Sequence, residues 1–301
     1  MSLNISLKRG LKLNLKGSPD KVYAPLQASE EYVVKPTDFH LLTPKLVVKE
    51  NDKVKAGDTL FYDKYNDKIK FSAPVSGSVK EIVRGQKRRI LKVVIKADKE
   101  IKYKTFEVGN SNQLSRDQII ETMLEAGVWP FIRQRPYDII ANPKDMPKAI
   151  FISAFNSSPL SIDNDFALYG MEELFQKGIN YIRKLTNGKT HLNIDGSINA
   201  STVFTSAKGV QINKFSGPHP SGNVGVQIHH IDPINKNDVV WYLDPQHVIT
   251  IARLFDQGIY DASRIIALAG PQVKKPRYYR CISGANISNL VLDNIKDGDN
   301  R

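Results

Sequence analysis

Cysteine is the scarcest chemistry in this chain: 301 residues hold one, Cys281. A lone thiol cannot close an internal disulfide, and it cannot supply a cysteine-ligated zinc site or iron–sulfur cluster from this chain alone. Long apolar runs are missing too, with no window near the ~18–20 residues of a membrane-spanning helix. The amino terminus alternates Lys and Arg with Leu and Ile and never forms the apolar stretch of a signal peptide. These absences point to a reducing compartment and to a protein that is soluble or peripheral to a membrane. Three catalytic signatures are also lacking: the Gly-x-Gly-x-x-Gly turn, the Walker lysine pattern and the Gly-x-Ser-x-Gly elbow. No catalytic residue is assigned.

Apolar residues make up 41% of the chain, enough for a large core spread over two or three domains at ~100–200 residues each. The net charge is +12, and it is uneven. Residues 1–100 carry 21 Lys and Arg against 12 Asp and Glu, whereas the remainder is nearly balanced. No aromatic interleaving accompanies this basic first module, so nucleic acid is not expected as a partner. An acidic protein or anionic headgroups fit it better.

Residues 3–15 alternate like a half-buried edge strand, and Gly17-Ser18-Pro19 ends the pattern. Residues 31–97 are short apolar runs cut by turns, the signature of a small all-β sandwich. Val-Lys-Ala-Gly-Asp-Thr-Leu (54–60) and Ala-Pro-Val-Ser-Gly-Ser-Val (73–79) resemble the two halves of a biotinyl/lipoyl barrel-sandwich. A modified lysine would sit at the hairpin tip between them. The register puts Asn66 there, with Lys64 and Lys68 beside it, so an unmodified fold kept for docking is expected.

After a linker at 99–112, Ser115 and Gln118 form a capping box for a helix that Gly127 ends. Strands follow at 148–155, 189–194, 209–214 and 239–243. Helical segments at 165–177 and 179–185 flank Gly178, and Asp244-Pro245 opens another helix running toward Gly258. This alternation predicts an open α/β sheet covered on both faces. A further strand is expected at 276–283. The chain then stops on charged residues, from which an incomplete final domain is expected.

Two stretches concentrate candidate chemistry. Residues 128–137 hold Trp129, Phe131, Arg133 and Arg135, which suit stacking on a planar ligand or anchoring a protein interface, or equally one apolar plug with two solvated arginines. Residues 214–233 pack three glycines, three prolines and the histidines His219, His229 and His230 into one run. Placed on a strand, adjacent His229 and His230 point to opposite faces, and no cysteine or carboxylate completes a ligand set, so no metal is expected.

Together several motifs resemble one family, the A subunits of the Na+-translocating NADH:quinone reductase (the Nqr complex). They are Lys8-Arg9-Gly10-Leu11, Gly17-Ser18-Pro19, Ala73-Pro74-Val75-Ser76-Gly77, Arg84-Gly85-Gln86-Lys87-Arg88, Arg133-Gln134-Arg135-Pro136, Gly217-Pro218-His219-Pro220-Ser221-Gly222 and the run 267–277. They follow the family's order along nearly the whole chain. The family differs at two places, often carrying a second histidine where Gln227 stands and an aromatic where His230 stands.

The resemblance implies an α+β multidomain chain. Residues 1–100 would hold the basic strand and barrel-sandwich, and 101–262 a Rossmann-like α/β domain similar to the complex I flavin subunit but without its glycine-rich loop. Residues 263–301 would start a β-grasp (SLBB-like) domain. It further implies a place on the cytoplasmic side of a membrane-bound, sodium-pumping respiratory complex. Such a chain binds no cofactor itself, the flavins and iron–sulfur centre lying in partner subunits, among them membrane subunits. Quinone is the implied ligand, near Trp129, Phe131, Arg133, Arg135, His229 and His230. A purely structural scaffold, or a C-type subunit of the related Rnf complex, stands as the alternative.

Overall fold

The computed structural model describes residues 2–109, 113–292 and 294–298. The chain opens with β1 (Asn4–Ser6) and β2 (Asp20–Ala24). It continues through β3 (Glu31–Val34), β4 (Pro44–Leu46), β5 (Lys53–Val54), β6 (Thr59–Asp63), β7 (Asn66–Ser72), β8 (Gly77–Arg84) and β9 (Ile90–Ala97). Then come α1 (Arg116–Ala126), β10 (Arg133–Arg135), β11 (Ile139–Ile140), β12 (Ala149–Ser153), α2 (Asn164–Ala167), α3 (Glu172–Ile182) and β13 (Lys189–Asp195). After them lie α4 (Thr202–Thr205), β14 (Gln211–Ser216), α5 (Val224–Ile231), β15 (Val240–Leu243) and α6 (Pro245–Gln257). The chain closes with β16 (Ser263–Leu268), β17 (Arg277–Ile282) and α7 (Ser288–Val291).

The first module is a barrel-sandwich. Its two sheets run β3-β9-β8-β5 and β4-β6-β7. Leu60, Phe61, Val75, Val79, Val93 and Ile95 are buried in a dry interior, the consecutive Leu60 and Phe61 where β6 breaks register, with Phe61 stacked on Phe71 at 4.8 Å between centroids. Asp63 pairs with Asn66, so Lys64 and Tyr65 form the hairpin tip. The position expected from sequence, Asn66, is thus past the tip: it already starts β7, and Lys64 shares the tip with Tyr65.

The middle module is a seven-stranded sheet, β1-β14-β13-β12-β15-β10-β11. Strands β1, β14, β13, β12 and β15 are parallel, and β10 and β11 are antiparallel. Along β12, Ile150 and Ile152 point into the main core shared with α3 and α6, while Ala149 and Phe151 point to the other face, where Ile228 of α5 covers them. The capping box at Ser115 and Gln118 is formed, and Gly127 closes α1 in the left-handed conformation. Asp244 caps α6 and Gly258 ends it in the same way.

Three local expectations are corrected. Residues 3–15 are not one strand: only Asn4–Ser6 pairs as a strand, with Lys214–Ser216 of β14, and Leu11, Leu13 and Leu15 are exposed. Alternation satisfied the pattern, but past Ser6 a single bridge between Leu11 and His219 takes the place of a ladder. Gly178 does not break a helix. It lies inside α3, where a Cβ would stand 2.4 Å from the Val248 carbonyl oxygen, so glycine is there to let α3 and α6 meet. Finally, His229 and His230 lie on helix α5, not on a strand.

The last strands make a three-stranded sheet, β16-β17-β2, which draws in the amino-terminal segment. Tyr278, buried there, meets Phe166 edge-on at 4.7 Å, and Phe166 stacks on Tyr23 at 5.1 Å. No helix among the described residues is long and apolar enough to cross a membrane.

Candidate functional site

The structure separates the six residues that the sequence grouped. Trp129 is fully buried, meets Trp241 at 90° and donates from Nε1 to the Ala141 carbonyl at 2.7 Å. An indole committed this way is core, and the expectation that it contacts a ligand is corrected. Arg133 is tied down, its Nε 3.6 Å from Asp138 Oδ1 and its guanidinium donating to the Asp138 carbonyl. Arg135, two residues along the same strand face, lies over Tyr242 at 5.1 Å and lines a cleft at the carboxyl ends of β12 and β15. His229 and His230 sit in the last turn of α5, exposed, with rings 5.3 Å apart; His230 Nδ1 donates to the Val226 carbonyl at 2.8 Å. They line neither this cleft nor the one around Phe131.

Phe131 is different. It ends a short 3-10 turn (Trp129–Phe131) after α1 and lines a cleft of about 640 Å³ where three parts of the chain meet. The barrel-sandwich supplies Phe39 and Phe71, the α/β module supplies Pro130 and Phe131, and the carboxyl-terminal segment supplies Ala285 and Ile287. Behind it, the His247 imidazole stacks flat on Phe131, 4.2 Å between centroids at 8°. Arg264, which can only donate, points at His247 Nε2, so the hydrogen resides on Nδ1, which meets no acceptor among the described residues. Burial holds the His247 pKa well below the ordinary imidazole value, and the Arg264 charge adds to the effect. A neutral ring is thereby fixed beneath Phe131. Tyr260 closes the floor, and burial pushes its phenol pKa up. Such a cleft, with aromatic walls and a charged edge that carries Lys35 and Lys92 together with Glu31, Asp38 and Glu81, suits a planar, largely apolar molecule with a polar end.

Known proteins share this three-part architecture. Residues 5–98 match the NqrA N-terminal barrel-sandwich hybrid domain, 114–260 the NqrA second alpha/beta domain and 265–301 the NQRA C-terminal domain. The A subunit of the Na(+)-translocating NADH-quinone reductase of Pasteurella multocida is 36% identical over 99% of this chain and 67% of its own length. That of Yersinia pseudotuberculosis is 37% identical over 99% of this chain and 66% of its own. The chain belongs to the NqrA family. It spans about two thirds of the length of these relatives. A solved NAD+-reducing [NiFe]-hydrogenase aligns with 66% of the chain and 45% of its own, at 13% identity and a TM-score of 0.43.

In this NqrA-family chain, two groups escaped the sequence reading. His247 is one: it lies 116 positions from Phe131, and nothing local in Asp-Pro-Gln-His marks it as a stacking partner. The other is a buried polar ladder beneath α5. Asn213 Nδ2 donates to Asn193 Oδ1 at 2.9 Å, and Asn193 Nδ2 donates to Gln227 Oε1 at 2.9 Å. Asn213 also meets His191 Nδ1 at 3.3 Å, and the His191 ring stacks on Phe151. Burial drives the His191 pKa down to about 4, so it is neutral at physiological pH. Among the described residues no group of three His, Cys, Asp or Glu side chains gathers to hold a metal.

Proposed function

We propose that the chain works as the docking and quinone-associated subunit of a Na+-translocating NADH:quinone reductase, peripheral on the cytoplasmic side of the membrane. The observation that carries this reading is the cleft around Phe131, where an aromatic face held rigid by His247 opens between the three modules. A quinone ring would stack on Phe131 in the cleft that Phe39 and Phe71 also line, with its polar oxygens toward the Lys35 and Lys92 side chains of the mixed-charge edge. The electrons would be carried by flavins and an iron–sulfur centre in partner subunits; the chain's part would be to orient the quinone and hold the assembly. His229 and His230, exposed on α5, would serve docking instead of the quinone.

The test is calorimetric titration of a short-chain ubiquinone or menaquinone analogue. The reading expects saturable binding that weakens about tenfold in Phe131→Ala, the loss of an aromatic contact plus its buried area. Unchanged affinity in a folded variant would remove the site. A second reading, a scaffold that binds only protein, draws on the exposed Leu11, Leu13 and Leu15 beside Lys12 and Lys16. Charge reversal at Arg88 and Arg89, with capture of partner subunits as the readout, separates docking through the barrel from docking elsewhere.

A further inference from the structure

Four of the sequence motifs that the Phe131 cleft leaves without a role, Lys8-Arg9-Gly10-Leu11, Gly17-Ser18-Pro19, the run 217–222 and the run 267–277, meet around one strap, residues 10–17. At its start Leu11 N–H donates to the His219 carbonyl at 2.9 Å, and a Cβ on Gly10 would fall 2.2 Å from that oxygen. At its end Gly270 N–H donates to the Gly17 carbonyl at 2.9 Å, and a Cβ on Gly17 would fall 2.1 Å from the Gly270 oxygen. A side chain fits at neither crossing, so the strap is clamped at both ends. Between them its main chain bonds, among the described residues, only to itself, Leu15 N–H donating to the Leu13 carbonyl at 3.1 Å. Every residue from Lys8 to Lys16 is exposed, and Leu11, Leu13 and Leu15 are 64%, 53% and 52% exposed.

These leucines are interspersed with cations. Lys8, Arg9, Lys12 and Lys16 make no ion pair among the described residues, and no carboxylate occurs in the chain before Asp20. The loop that holds Gly17 adds exposed Lys274 and Lys275. The patch is apolar and cationic at once, and its complement is a surface that is apolar beneath and anionic above. An anionic bilayer is both. A protein partner fits the composition less well, because protein interfaces are depleted in lysine and anchored by Trp, Tyr and Arg, with leucine under-represented. Residues 8–16 hold no aromatic and one arginine.

We propose that residues 8–16 bind an anionic lipid surface, Leu11, Leu13 and Leu15 dipping into the boundary between headgroups and acyl chains while Lys8, Arg9, Lys12 and Lys16 meet lipid phosphates. The free amides and carbonyls of the strap stay at headgroup level, where water satisfies them, so insertion is shallow. The clamps at Gly10 and Gly17 hold the leucines in place before contact, which spares the ordering cost that a flexible tail would meet. This deepens the peripheral placement proposed above and rests on it. It uses neither quinone nor a partner subunit, so the strap can fail while the Phe131 cleft stands.

The experiment is co-sedimentation of the whole chain with vesicles of phosphatidylcholine containing about a quarter phosphatidylglycerol, against phosphatidylcholine alone. Saturable binding is expected only with the anionic lipid, weakening at least about tenfold between about 0.1 M and about 1 M salt. A net charge of +12 by itself draws a chain to such vesicles, so the deciding variant keeps every charge. Leu11→Ser/Leu13→Ser/Leu15→Ser should weaken binding at least about tenfold at an unchanged melting temperature, since these side chains lie outside the core. Lys12→Glu/Lys16→Glu should weaken it more than Arg88→Glu/Arg89→Glu, the same change of charge between β8 and β9. Emission from Leu13→Trp should shift to the blue on anionic vesicles, over the constant background of the fully buried Trp129 and Trp241. No binding to anionic vesicles, equal binding by the triple serine variant, or an unshifted Leu13→Trp emission would overturn the proposal. Equal vesicle binding with lost capture of partner subunits in the triple variant would assign the strap to a protein instead.

Discussion

The two faces of the central sheet are built on opposite principles. One packs Ile150, Ile152, Leu192, Ile194, Trp241 and Leu243 into a continuous apolar core with α1, α3 and α6. The other is covered by the eight residues of α5, whose apolar contact is small, Ala149, Phe151, Val240 and Ile228, beside the polar ladder of Asn193, Asn213, Gln227 and His191. The apolar face draws its stability from transfer of area out of water, which is non-directional. The polar face is held by directional bonds that cost free energy if any partner is lost. The two faces therefore differ in what they offer: the polar face spends its directional groups on the ladder beneath α5, whereas the apolar face ends, at its junction with the barrel-sandwich, in the cleft lined by Phe39, Phe71 and Phe131.

The largest effect should come from the apolar face. Trp129→Ala removes a fully buried indole and its edge contact with Trp241, and should cost about 3–5 kcal/mol in denaturant unfolding. On the polar face, Asn193→Leu keeps the branching of the side chain but removes the partner of Gln227 Oε1 and the 2.9 Å acceptor of Asn213 Nδ2, a cost of about 2–3 kcal/mol. If Asn193→Leu proved neutral, the ladder would be incidental and the contrast between faces would fail.

Part of this contrast was legible in the sequence. Ser115 with Gln118, and Asp244-Pro245 with Gly258, are local devices, and local devices survive folding because their partners lie within a turn. The barrel-sandwich was legible for the same reason, through corner residues repeated in two halves. The polar face was not. In α5 the apolar residues Val224, Val226 and Ile228 alternate as in a strand, while Val224, Ile228 and Ile231 fit a helix, and eight residues are too few for periodicity to choose. Gly178 carries the same ambiguity, a helix breaker in sequence and a close-packing residue in space. The site was least legible. Phe131 was singled out, but its neighbours Trp129 and Arg133 are core and ion pair, and its stacking partner His247 comes from a distant helix.

Smaller effects bear on the same contrast. His191 is neutral when folded, with a pKa lowered to about 4, whereas the unfolded imidazole protonates below about 6.5. The unfolded state therefore binds more protons between these values. Stability is full above pH 6.5 and falls as pH drops, by about 2 kcal/mol at about pH 5, and thermal melting of His191→Phe should flatten that slope. His247, also held neutral by burial, adds in the same direction. Smallest is Ser115→Ala, which removes the cap of α1 and should cost about 1 kcal/mol with no pH dependence in this range.

Tryptophan fluorescence gives the cleanest test of the quinone reading of the Phe131 cleft. Trp129 is two residues from Phe131 and Trp241 lies against it, so both indoles report on the same neighbourhood, and the chain has no others. Titrating a short-chain ubiquinone should give saturable quenching in the parent chain and a curve shifted about tenfold to higher concentration in Phe131→Ala, with the melting temperature nearly unchanged. Linear, unsaturating quenching of the same slope in both proteins would rule out a quinone site at Phe131.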